Sequence, residues 1–113
     1  MQTVVELPEY LRQVENLLSE SEREDIKAFL GSNPQAGAVI KGTKGIRKIR
    51  WKRENAGKSG GYRVIYFYHN EYIPVFLLTA YGKNVQGNLS KAERNALARV
   101  AEQLKNYGRK NHE

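Results

Sequence analysis

The sequence predicts an α+β fold of order β-α-α-β-β-β-α, with a mainly antiparallel sheet and its helices packed on one face. Three observations carry this. Apolar residues recur at helical spacing in two segments before residue 32 and in one after residue 90. Between them lie three strand-forming runs joined by short links, the pattern of an antiparallel meander. The chain has 113 residues, 40% of them hydrophobic and 27% charged, which is one domain's worth of sequence. Residues 1–108 are expected to form that domain and residues 109–113 a frayed tail.

Thr3 to Leu7 is short and β-branched, and reads as an edge or first strand. From Pro8, a residue suited to a first helical turn, Tyr10, Leu11, Val14, Leu17 and Leu18 recur at helical spacing. Ser19 and Ser21 each have a glutamate three residues on, so either can start a second helix with a capping box. That helix buries Ile26, Phe29 and Leu30, takes Gly31 as a left-handed stop, and gives way to a loop at Asn33-Pro34. Ile46 to Arg53 alternates strictly: Arg47, Ile49, Trp51 and Arg53 share one face, and Ile46, Lys48, Arg50 and Lys52 the other. Glu54 to Gly61 is a Gly-rich connection. Tyr62 to His69 is an aromatic strand, Asn70-Glu71 a tight turn, and Tyr72 to Tyr81 a central strand apolar on both faces. After a loop over Gly82 to Leu89, Ser90 and Glu93 cap a last helix that ends near Tyr107, with Gly108 as its stop.

Charge narrows function further. Nineteen Lys and Arg oppose twelve Asp and Glu, a net of +7. Residues 1–40 carry −4, residues 41–63 carry +8, and residues 64–113 carry +3, so the excess arises in the middle 23 residues. A concentrated basic block favours a polyanion such as nucleic acid. The chain has no cysteine, which excludes disulfides, thiol nucleophiles and thiolate metal sites. With only His69 and His112, a zinc site is not expected, and no metal or cofactor is assigned. No signal peptide is visible, and the longest apolar stretch, Ile73 to Ala80, is far too short to span a membrane. A cytoplasmic protein without a membrane partner is expected.

Four features can carry chemistry. Lys48, Arg50 and Lys52 project about 6.5–7 Å apart along one sheet face, close to the phosphate spacing of a nucleic-acid strand. The row serves either as a solvated, solubilising face or, beside Lys41, Lys44 and Lys58, as a track for a backbone. Arg63 follows a Gly-Gly pair on the side of Ile65 and Phe67. It needs either an acidic partner from the helices or a phosphate to clamp. Tyr81-Gly82-Lys83-Asn84 ends the central strand, where reactive groups are commonly displayed. There Lys83 can stabilise a phosphate oxyanion, and Tyr81 can stack on a base or share in proton transfer, unless the segment is an ordinary strand exit. His69 reads as a turn residue, so an enzyme built from this chain relies on Lys, Arg and Tyr. Gly61 to Phe67 loosely matches the RNA-recognition-motif strand, but Arg63 replaces its small residue and the helix order is wrong for that fold.

The segments Asn33 to Trp51, Gly60 to Tyr66 and Leu77 to Asn84 together resemble the RelE/HigB-type toxins of bacterial toxin–antitoxin systems. The resemblance covers nearly the whole chain. It implies a small RelE/ParE-like fold and a toxin that enters the ribosomal A site and cleaves mRNA, the 2′-OH of one nucleotide attacking the adjacent phosphate. The two basic strand positions of the family match Lys48 and Arg50, the arginine after the Gly-Gly loop matches Arg63, and the basic residue past the last strand matches Lys83. These four are the implied catalytic residues. Lys44, Lys52, Arg53, Lys58, Tyr81 and Asn84 are the expected RNA contacts. The C-terminal tyrosine that assists proton transfer in RelE has no counterpart here, since Tyr107 lies too far along the last helix, and Tyr81 is its possible substitute.

The implied partners are the ribosome, mRNA and a HigA-like helix-turn-helix antitoxin, with DNA reached only through that antitoxin. Two other readings use the same residues. A ParE-like toxin of this fold inhibits DNA gyrase by binding, and a non-enzymatic RNA-binding domain holds backbone without cutting it. Replication arrest, or salt-sensitive RNA affinity without cleavage, distinguishes these from the ribonuclease.

Overall fold

A computed structural model describes residues 1–52, 61–82 and 89–112, the last five as backbone only. Its elements are β1 (Val4–Glu6), α1 (Pro8–Val14), α2 (Glu20–Ser32), β2 (Ala38–Val39), β3 (Ile46–Trp51), β4 (Tyr62–Phe67), β5 (Val75–Gly82) and α3 (Lys91–His112). They form one five-stranded sheet of order β1-β5-β4-β3-β2. Only β1, which pairs with β5, is parallel to its neighbour. The α+β class, the mainly antiparallel sheet and the expected element order are observed, with the two-residue β2 added.

Local chemistry sets the helix ends. Ser19 rather than Ser21 caps α2: its hydroxyl accepts from the Glu22 amide at 3.1 Å, and the Glu22 carboxylate accepts from the Ser19 amide at 3.0 Å. Helix α1 stops at Val14, and Leu17 and Leu18 reach the core from the turn that follows. Gly31 is not a left-handed stop; it lies inside α2, which runs on to Ser32. The glycine is needed for a close approach, because its carbonyl accepts from the Gln2 amide at 2.8 Å and a Cβ there would sit 2.9 Å from the Gln2 carbonyl oxygen. Helix α3 likewise passes through Gly108 to His112. One interior glycine costs about 1 kcal/mol relative to alanine, which a helix already propagating absorbs.

The expectation that all helices pack on one face is corrected. Helices α1 and α2 supply Tyr10, Val14, Ile26 and Leu30 to a core with Val64, Tyr66, Val75 and Leu77. Helix α3 covers the opposite face, setting Leu97, Val100, Ala101 and Leu104 against Ile46, Ile65, Phe67, Phe76 and Leu78. Strands β4 and β5 are apolar on both sides, so each face needs a cover, and the first two helices can reach only one. Among the described residues, no helix is long and apolar enough to cross a membrane.

Candidate functional site

Alternation along β3 places Lys48 and Arg50 on the α3 face, with Ile46, and turns Arg47 to the α1–α2 face, with Ile49 and Trp51. Register then decides what these side chains meet. Arg50 lies directly opposite Arg63 on β4, and Arg63 lies directly opposite Tyr81 on β5. Lys48 lies opposite Ile65, and Ile65 opposite Thr79. The sheet thus carries a transverse row Arg50–Arg63–Tyr81, with Lys48 one step along. Directly opposed residues have Cβ atoms about 5 Å apart, so two guanidinium groups share one patch. Helix α3 packs over the neighbouring rows, while Lys48 and Arg50 are exposed and Arg63 and Tyr81 half-buried.

Like charges directly opposed on adjacent strands are unfavourable. Among the described residues, no carboxylate pairs with Lys48, Arg50 or Arg63. The Nη1 atom of Arg63 is buried and, among the described residues, has no hydrogen-bond acceptor. Of the two arrangements the sequence leaves open for Arg63, an ion pair with a helix carboxylate is not found in the described residues. Glu6, on the edge strand β1, is engaged by Arg23 at 3.1 Å and Lys27 at 3.4 Å of α2. A patch with three cations, a buried donor and no counter-charge among the described residues suits an anion with several acceptor oxygens, such as a phosphate diester.

The outer side of β3 is held in place by a network that reading the sequence missed. The Tyr66 hydroxyl accepts from the Gly37 amide at 2.7 Å and donates to the Pro34 carbonyl at 2.9 Å. Burial holds this phenol's pKa above its ordinary value. Arg47 Nη1 donates to the carbonyls of Gly37 at 2.8 Å and Gln35 at 3.2 Å. A side chain at Gly37 would collide with the Lys48 carbonyl oxygen and the Tyr66 hydroxyl, each 2.7 Å from the Cβ position. These bonds fix β2, whose Ala38 pairs with Lys48. The Gly in the run Asn33 to Gly37 was the available signal, but its partner Tyr66 is 29 residues away in sequence.

The remaining expected site residues are dispersed. Lys44 lies in the turn before β3, at the other end of that strand from Arg50, and is ion-paired with Glu102 of α3. That contact holds the Glu102 carboxyl below its ordinary range. Lys52, exposed just past β3, lines a shallow cleft with Trp51, Glu22 and Asp25. His69 is exposed, and its ring stacks on Phe67 with centroids 6.2 Å apart. Arg53, Lys58, Lys83 and Asn84 lie outside the described residues.

The register pairs Arg50–Arg63 and Arg63–Tyr81 were not readable from the sequence, since they depend on how the strands align. A family model described as the RelE toxin of the RelE/RelB toxin–antitoxin system matches residues 35–112. That span is more than half of the chain and contains Lys48, Arg50, Arg63 and Tyr81.

Proposed function

The chain belongs to the RelE toxin family, which makes it the toxin of a toxin–antitoxin pair with an antitoxin as its partner, and from that premise we propose that it is a ribosome-dependent endoribonuclease cleaving mRNA in the A site. The supporting observation is the Arg50–Arg63 pair, opposed in register, with Arg63 Nη1 buried and unused. Such a pair is costly without an anion and favourable with one bridging it.

In this reading the 2′-hydroxyl of one nucleotide attacks the adjacent phosphorus and gives up its proton to solvent water, the 5′-oxygen of the next nucleotide departs, and a 2′,3′-cyclic phosphate and a 5′-hydroxyl result. Arg63 and Lys83 bind the scissile phosphate and offset the charge that grows on its oxygens. Arg50 positions the backbone, and Lys48, on the same face one step along β3, supplies the proton taken up by the departing 5′-oxygen. Tyr81, beside Arg63, contacts the nucleotide. Lys52, with Arg53 and Lys58, meets flanking backbone, and Lys44, Asn84 and the turn before β3 contribute at the margins. The chemistry needs no metal, because the cations on the sheet carry the compensating charge. The antitoxin is proposed to be a HigA-like helix-turn-helix protein, through which the pair reaches DNA.

The test is cell-free translation of a defined mRNA, with 5′ ends mapped in the presence and absence of ribosomes. Wild-type protein should cut within codons only when ribosomes are present, and Arg63→Ala should not cut while keeping its fold by circular dichroism. Full cleavage by Arg63→Ala removes the site assignment. Absence of any cut with wild-type protein, together with arrest of DNA replication in cells, favours a gyrase-directed toxin instead.

A further inference from the structure

Beside the basic row, a groove of about 420 Å³ runs between β5 and the N-terminal half of α3. Ile65 and Thr79 form part of its floor, Ala96, Leu97 and Val100 one wall, and Tyr81 its end nearest Arg63. The lining is mainly apolar, with Thr79, Gln13 and Glu93 as polar points on its rim. That size and composition are those of a small-molecule site: apolar walls with a few hydrogen-bonding groups. The site belongs to no interface described above, and it is continuous with the cation patch, because Tyr81 borders both.

Continuity selects the occupant. Ile65 is two residues along β4 from Arg63 on the same face, about 7 Å away. A group lying over Ile65 and Thr79 is therefore tethered, at one short covalent distance, to an anion seated on Arg63. It must also be flat or narrow and largely apolar, with polar atoms at its edge. A nucleobase joined through its ribose to a phosphate meets each condition, and Tyr81 offers a ring beside it for stacking. An apolar protein side chain could fill the groove, but nothing about such a side chain calls for the adjacent cations.

We propose that this groove receives the base of the nucleotide whose phosphate rests on Arg50 and Arg63, so that β5 and α3 read base identity while β3 and β4 hold the backbone. The inference rests on the ribonuclease reading for its choice of RNA, and it makes the groove the element that sets sequence preference. The Thr79 hydroxyl is the edge-reading group, and because it both donates and accepts it can pair with an exocyclic amino group or a ring nitrogen of the base.

The test uses the full chain, isotopically labelled, titrated without ribosomes with 2′-deoxyadenosine 3′-monophosphate and, separately, with inorganic phosphate. The nucleotide should bind at least roughly tenfold more tightly than phosphate. It should shift the resonances of Thr79, Ala96 and Leu97 as well as Arg63, whereas phosphate should shift Arg63 alone. Ala96 is exposed on α3, so Ala96→Trp should fill the groove without disturbing the core. It should abolish the nucleotide's advantage and leave phosphate binding intact. Ala96→Leu serves as a milder filling should the tryptophan variant fail to fold, with a smaller loss expected. In the ribosome assay, the filled variants should cut with altered sequence preference. The inference is overturned if nucleotide and phosphate bind equally, or if Ala96→Trp cuts the same sites at the wild-type rate. It is equally overturned if Ala96→Trp loses antitoxin binding while retaining the nucleotide's advantage. Failure of the wild-type protein to cut RNA, with nucleotide binding in the groove intact, counts against the ribonuclease reading alone.

Discussion

Replacing Arg63 with methionine should make the protein more stable and inactive at once. Arg63 has a buried Nη1 without an acceptor among the described residues, and it faces Arg50 directly across the β3–β4 ladder. An unsatisfied buried donor costs roughly 1–3 kcal/mol, and an opposed like-charge pair adds a few tenths. Arg63 is only half-buried, so the lower part of that range applies. Methionine keeps the length of the aliphatic stem and its packing while removing the charged fork. The expected gain is about 1–2 kcal/mol. With a urea m-value of roughly 1–1.5 kcal/mol/M, the midpoint should rise by about 1 M. Inorganic phosphate supplies the second arm. At ten times its dissociation constant, an anion bound only to the folded state adds about 1.4 kcal/mol. The wild type should gain that increment and Arg63→Met should not. A midpoint lowered by the substitution would show that Arg63 has a stabilising partner, and equal stabilisation of both proteins by phosphate would place the anion elsewhere; either result overturns the assignment of Arg63 as an unsatisfied anion ligand.

Two tyrosines with opposite hydrogen-bonding status should respond oppositely to loss of the hydroxyl. Tyr66→Phe strips the buried Gly37 amide and the Pro34 carbonyl of their partner, and should cost about 2 kcal/mol in a urea melt. It should also weaken cleavage, because β2 and Lys48 lose their anchor. The Tyr10 hydroxyl is buried with no partner among the described residues, so Tyr10→Phe should be neutral or stabilising by about 1 kcal/mol. Burial, assisted by the charge of Glu6, raises the Tyr10 pKa above its ordinary 10.0. A raised phenol contributes its stability fully below pH 10 and loses it as pH climbs through the folded-state value. Wild-type stability should therefore fall more steeply above pH 10 than that of Tyr10→Phe, as read from urea midpoints between pH 8 and 11.

Much of the architecture is legible because it is written in short-range patterns. The Ser19–Glu22 and Ser90–Glu93 boxes mark helix starts directly, and both are formed. The alternation of Ile46 to Trp51 assigns faces correctly, so Lys48 and Arg50 fall together. What escaped depends on distance along the chain. Strand β2 has two residues, too few for any period, and exists because Tyr66 and Arg47 hold its approach. The placement of α3 on the second face was implicit in the two-sided apolar character of β5, yet nothing local in α3 says which face it takes. Register is the largest omission. A shift of one residue between β3 and β4 would have set Arg50 against an apolar neighbour, leaving Arg63 elsewhere.

The distribution of charge across the sheet explains why the patch stays uncompensated. The acidic residues of the first 40 positions lie mostly on α1, α2 and β1, and several form ion pairs there: Glu6 with Arg23 and Lys27, Glu24 with Lys27, Glu9 with Arg12. The apolar sheet separates them from Lys48, Arg50 and Arg63, and neither half can cross it without burying a charge. On the α3 face, the acidic Glu102 is held by Lys44 at the far end of β3. Among the described residues, fold and pairing leave Arg63 Nη1 without an acceptor, which is the condition under which an anion from another molecule binds there most favourably. This constrains the antitoxin as well as the substrate. An antitoxin that covers the row must bring carboxylates or carbonyls to Arg63, and its complex should lose the response to phosphate. One that binds a different surface must leave Arg63 responsive and, if the toxin is the ribosome-dependent nuclease proposed above, neutralise by obstructing entry to the ribosome.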